Sequence, residues 1–188
     1  MTLPTGHPDA QPPHAVVNAD GTLAQGPHDL AGLPAEAAAV ARVLGRLGAA
    51  GRVRGLDPAA GTSPAAALGV PDGAVVVPVV LLADGAPVLV LVSGLHRVDL
   101  LAVAAVVGAQ DVHPADAGRV RSVTGQDPDA VAPVGHAHPM RTVVDVALAR
   151  HDVVWAPAGA VGWVFPTTYD ELLRITAAEA AEVGEGYV

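Results

Sequence analysis

Apolar residues recur three and four apart over residues 34–50, where Val40, Val43, Leu44 and Leu47 fall on one stripe. With Pro34 at the first position, Glu36 in the first turn and Gly51 beyond the end, this predicts an amphipathic helix. Residues 52–56 read as a short strand. Thr62-Ser63-Pro64 is a cap followed by proline and predicts a short helix through Leu68 that Gly69 ends. Two Val/Leu-rich runs, 74–82 and 87–92, flank Ala83-Asp84-Gly85-Ala86 and predict a β-hairpin whose strands are buried on both faces. Asp99 caps a predicted helix over 100–107, and a further helix is expected over 114–123, closed by Gly125.

Residues 126–139 are too rich in Pro, Gly and Asp for regular structure and predict a long loop, the kind of segment that carries sites. Strands are expected at 142–144, 153–156 and 161–165. Thr168-Tyr-Asp-Glu171 is a capping box, opening a last helix through Leu172, Leu173 and Ile175 to about Ala181. Helices and strands interleave without the rhythm of a doubly wound sheet, so the expected class is α+β with a partly closed antiparallel sheet. Residues 1–32, with Pro4, Pro8, Pro12, Pro13 and Pro27, are read as a flexible arm with a short strand at 15–18; 33–182 form the domain and 183–188 a tail.

Composition narrows the chemistry. The 188 residues hold no Cys, which excludes disulfides, thiolate metal sites and thiol nucleophiles. All ten basic residues are Arg, so Schiff-base lysines and Walker-type phosphate loops are excluded too. A net charge of −9 argues against non-specific binding of nucleic acid, and any RNA contact must be local or assisted by a partner. No secretory signal is read at the N-terminus, the longest apolar run, 74–83, is about half of what a membrane span needs, and a cytoplasmic location is expected.

G-x-S-x-G, HExxH and G-x-G-x-x-G are all missing, and only Ser63, Ser93 and Ser122 could supply a serine nucleophile. His136-Ala-His138 would place two imidazoles on one face of a strand, with Asp145 or His151 as a third ligand. A histidine pair in a proline-rich loop more often bonds the backbone, so neither metal nor cofactor is expected. Asp145 ends the apolar run Thr142-Val-Val144, where a carboxylate must be paired or functional; both readings stay open.

The order of these signals resembles a known family. Ala37-x-x-x-Ala41-Arg-Val-Leu44, Thr62-Ser-Pro-Ala-Ala-Ala-Leu-Gly-Val70, Asp84-Gly-x-Pro-Val-Leu-Val-Leu-Val-x-Gly94 and His96-Arg-Val-Asp-Leu100 are similar in order to the YbaK/EbsC family of aminoacyl-tRNA deacylases. So are Thr124-Gly125, Val131-Ala-Pro133-Val-Gly135-His136, Val143-Val-Asp145, Ala158-Gly159 and Phe165-Pro-Thr-Thr-Tyr-Asp-Glu-Leu-Leu173, and the likeness spans about 33–182. It implies a stand-alone relative of the prolyl-tRNA synthetase editing domain, with helices around a curved, barrel-like mixed sheet. Its implied activity is hydrolysis, in trans, of the ester of a mischarged tRNA, of the Cys- or Ala-tRNA(Pro) type.

By the resemblance, Asp145 and His136 are catalytic, and Thr62, Ser63, Val77, Pro133, Gly135 and Gly159 bind substrate. The hairpin strand at Val77, the 129–136 loop, Asp145 and the Ala158-Gly159 turn are expected to line one pocket. The implied partner is the aminoacylated acceptor end of tRNA, with a synthetase that could hold the tRNA body; neither membrane nor DNA is expected. Two departures stand out. The family's signature Lys falls at Val77, and its Gly-x-x-x-Pro loop reads Asp129-Ala-Val-Ala-Pro133. These leave two alternatives: a binding or regulatory paralogue that has lost catalysis, and a hydrolase of another small ester.

Overall fold

The computed structural model describes residues 30, 32–56 and 63–186. The arm and its strand at 15–18 lie outside the described residues, as does Thr62. The elements run α1 (Ala35–Arg46), β1 (Arg54–Gly55), α2 (Pro64–Leu68), β2 (Val76–Ala83), β3 (Ala86–Ser93), β4 (His96–Val98), α3 (Leu100–Val107), β5 (Val112–Pro114), α4 (Ala117–Thr124), β6 (Arg141–Asp145), β7 (Val154–Pro157), β8 (Trp163–Thr167), α5 (Tyr169–Thr176), β9 (Glu179–Ala181) and β10 (Gly184–Gly186).

Short-range chemistry explains most of these boundaries. Ser63 Oγ accepts the Ala66 N–H, Asp99 accepts those of Leu101 and Ala102, and Thr168 Oγ accepts that of Glu171, each filling an orphan donor of a first helical turn. Glu171 does not close the expected capping box. Its carboxylate instead takes the Ala50 N–H at 2.9 Å and the Thr167 hydroxyl at 2.8 Å, tying α5 to the chain leaving α1. Ala83 pairs with Ala86 across Asp84 and Gly85, whose φ angles of 47° and 82° give the two-residue turn that matches strand twist. The Asp84 carboxylate also accepts the N–H groups of Gln110 and Asp111, anchoring the hairpin to the segment between α3 and β5.

The largest sheet has the order β5-β2-β3-β6-β9, mixed because β3–β6 and β6–β9 are parallel. Val88, Val90 and Val92 of β3 pack with Val103 of α3 on one face. Leu89 and Leu91 pack on the other with Leu44 of α1, Phe165 of β8 and Leu172 of α5. A central strand with two buried faces needs continuous rather than alternating apolar residues, and that is why β3 reads as an unbroken Val/Leu run. A second sheet, β1-β8-β7, and the pair β10-β4 complete the set among the described residues. One bridge, Val75 to Trp155, joins the two larger sheets without closing them into a barrel.

The structure corrects the expected end of the last helix. It stops at Thr176, whose hydroxyl bonds back to the Leu172 carbonyl at 2.7 Å, and Ala177 turns left-handed at φ 50°. The Ala/Glu run that follows looks helical in isolation, but residues 179–181 pair with β6 and so complete an edge of the sheet. The helix expected from Pro114 starts later, at Ala117, capped by Asp116, because 112–114 pair with β2. Among the described residues no helix is long and apolar enough to cross a membrane.

Candidate functional site

A hollow of about 870 Å³ opens between β2, α2, the 128–131 segment and the β7–β8 turn. Ser63 and Val77 face it, together with Asp129–Val131, Trp155, Val161 and Trp163. Val77 is 40% exposed in a chain segment that is otherwise mostly buried, which marks the point where the sheet opens to solvent. Ser63 is committed locally, its hydroxyl oxygen accepting the Ala66 N–H at 3.2 Å. Among the described lining residues Asp129 is the charged one, so the walls are chiefly apolar.

The wall formed by β1, β8 and β7 has two distinct faces. Val154, Ala156 and Phe165 point into the core, whereas Trp155, Pro157 and Val164 line the hollow. Arg54 pairs with Val164 across β1–β8 and shares the hollow-facing side, and its guanidinium carbon lies 4.3 Å from the centroid of the Trp155 ring.

Pro133, Gly135 and His136 fall in a second hollow of about 700 Å³, between their own loop, the C-terminal part of α1 and the end of α5. His136 Nε2 donates to the Ala132 carbonyl at 2.7 Å, so the ring braces the loop that carries it. Burial lowers its pKa from the ordinary 6.5, against an upward pull from that backbone bond. The unfolded chain therefore takes up a proton that the folded chain resists, and stability should fall as pH drops through 6.5 toward the folded value. His136→Gln is expected to flatten this slope; unfolding midpoints of both proteins at about pH 7 and about pH 5.5 measure it.

Asp145 lies in neither hollow. Its carboxylate is 1% exposed, accepts the Ala147 N–H at 3.0 Å and lies 2.6 Å from His96 Nδ1. Strand β10 runs directly over this pair at Gly184, where a Cβ would overlap both the His96 ring and the carboxylate. The Tyr169 pKa is raised by burial and then by the negative charges of Asp145 and Asp170. Nothing local in the sequence pairs His96 with a partner 49 positions away.

Gly159 packs against α1: with φ at 84°, a Cβ there would lie 2.9 Å from Val40 Cγ2. Gly135 approaches the same methyl, so the two turns are neighbours on one helix face. Gly159→Ala combines a strained φ with an overlap and should destabilise the fold by about 1–3 kcal/mol, read from urea unfolding. The expected site residues are thus distributed: Ser63 and Val77 on the first hollow, Pro133, Gly135 and His136 on the second, Gly159 at the α1 contact and Asp145 under β10. Among the described residues no three His, Asp or Glu side chains converge as metal ligands.

Comparison with curated proteins gives no match. Among solved structures, a candidate trans-editing enzyme for prolyl tRNA synthetase is similar at 32% identity, covering 82% of this chain and 99% of that one with a TM-score of 0.76. A second structure, of a hypothetical protein, shares the fold at 24% identity and a TM-score of 0.70, covering 78% of this chain and 99% of that one. The profile of the aminoacyl-tRNA editing domain matches residues 58–175, a stretch that takes in α2, the hairpin, the 126–139 loop and most of the lining of both hollows. On that match and the structural likeness, the chain belongs to the aminoacyl-tRNA editing domain family.

Proposed function

We propose that this protein hydrolyses the ester of a mischarged tRNA in trans, with small amino acids such as Ala or Cys on a proline tRNA as the substrate class. The observation that carries the reading is the first hollow. It lies against Val77 and the 128–131 segment, its volume of about 870 Å³ suits a ligand the size of an aminoacyl-nucleoside, and it opens at the surface. An editing site needs a pocket that admits a small side chain and holds the ester near water. A strong side-chain nucleophile is unnecessary, because an ester is already activated and the neighbouring ribose hydroxyl can assist the attacking water.

In this reading Val77, Ser63 and the 129–131 backbone form the pocket walls, and Asp129 offers a negative charge suited to the α-ammonium of the aminoacyl group. His136 acts as a positioning residue that braces the loop carrying Pro133 and Gly135, and Asp145 holds the far end of β6 through His96. Water attacks the ester carbonyl, the bond to the terminal ribose oxygen breaks, and the amino acid and a free tRNA hydroxyl leave.

Release of amino acid from pre-charged Ala- and Cys-tRNA(Pro) tests the proposal, with faster deacylation than in buffer as the expected outcome. Rates equal to buffer, with the charged tRNA still bound, would favour the binding paralogue, a reading that the apolar Val77 supports. Rates equal to buffer without binding would overturn the proposal.

A further inference from the structure

The hollow carries an acidic group in Asp129, and a cation, Arg54, stacks on Trp155 of its wall. Arg54 projects from β1 on the same face as Val164, Pro157 and Trp155, all of which line the hollow. Its guanidinium stacks on Trp155, and its Nε is shut off from solvent with no hydrogen-bond partner among the described residues. No described carboxylate pairs with it. A half-buried guanidinium that lacks an anion among the described residues carries a desolvation penalty there, which a bound anion would relieve. Burial also pulls its pKa below the ordinary arginine value.

The aromatic surroundings narrow the kind of anion. Both tryptophans of the chain, Trp155 and Trp163, line this hollow, Trp163 in register with Gly55 and Trp155 under the guanidinium, and a flat aromatic face beside a guanidinium is the combination that stacks a base and holds a phosphate. Resting on the proposed function, we infer that Arg54 is the residue that holds the phosphate of the terminal nucleotide, with Trp155 beside it as the aromatic surface for its base. Trp155 orients the guanidinium by stacking, and the planar fork can then meet two phosphate oxygens at once. In an acidic chain without lysine, this one placed cation supplies locally what a basic surface would supply in bulk.

The two tryptophans make the test direct, because their emission reports on this hollow. The full chain is titrated at low salt with adenosine and with adenosine 5′-monophosphate, both as wild type and as Arg54→Met and Arg54→Lys. Methionine keeps much of the stacked stem and removes the charge; lysine keeps the charge and loses the fork. The expected result is that wild type binds the monophosphate about ten- to a hundredfold more tightly than adenosine. In Arg54→Met that preference vanishes while adenosine binding changes little, and Arg54→Lys recovers part of it.

A preference that survives in Arg54→Met, or equal binding of both ligands by wild type, overturns the role of Arg54. Unchanged emission with both ligands removes the nucleotide from this hollow altogether. Failure of the proposed function gives a separate result, a phosphate preference that depends on Arg54 without any deacylation of charged tRNA. The Arg54→Lys arm keeps the inference falsifiable should Arg54→Met fail to fold.

Discussion

Val77→Lys combined with Asp129→Gly and Ala130→Gly is expected to raise kcat/KM for deacylation of Ala- or Cys-tRNA(Pro) by roughly ten- to a hundredfold. Val77 faces the first hollow and is 40% exposed, so an ammonium group there stays hydrated while it reaches a ligand oxygen. A charge-assisted hydrogen bond contributes about 1.5–3 kcal/mol, which sets the size of the gain. Removing Asp129 takes a negative charge from the same wall, and that also weakens its hold on an ammonium group; the new cation must outweigh this loss. Ala130 is 2% exposed, so its replacement by Gly loosens the segment at about 1 kcal/mol in stability. Steady-state kinetics on pre-charged tRNA decide the matter. Strong wild-type activity that falls on Val77→Lys would mean that the apolar wall is itself the working solution.

Asp145→Ala should lower stability by about 3 kcal/mol, because it strips the partner from His96 and leaves the Ala147 N–H without its acceptor beneath β10. A loss of this size is a large part of the 5–15 kcal/mol that typically holds a domain together. Gly184→Ala attacks the same arrangement from the other side, since its methyl group would drive β10 off the pair. The two losses should be markedly less than additive when combined, as each releases the same contact. Urea midpoints at unchanged m-value measure both. A loss below about 1 kcal/mol for Asp145→Ala would show that the pair contributes little to holding the fold. Asp145→Asn separates structure from chemistry: near-native stability with a kcat lowered a hundredfold would return this carboxylate to the reaction itself.

Much of the architecture was legible along the chain because its causes act within a few residues. Ser63, Asp99 and Thr168 cap the helices they precede, Asp84-Gly85 turns the hairpin, and the unbroken apolar run of β3 announces a strand covered on both faces. The family likeness was legible for a related reason, since an ordered series of such local motifs survives in sequence even where single positions change. The candidate site was less legible. The resemblance put Val77, the 129–136 loop, Asp145 and the Ala158-Gly159 turn on one pocket, whereas the first hollow holds Val77 and 129–131 and the rest of the loop turns away to α1 and α5.

Only the tertiary structure decided the pairings between distant positions. The bond from His96 to Asp145, the stack of Arg54 on Trp155, the parallel edge strand at 179–181 and the passage of Gly184 over a buried carboxylate each join segments far apart in the chain. Three-residue strands such as β4, β9 and β10 have too few positions to show a period, and their conformation is set by the edge they meet. A charged side chain likewise carries no mark of its partner. Whether Asp145 is a structural anchor and Arg54 an open cation depends on which strands the fold brings beside them, and no spacing along the sequence encodes that.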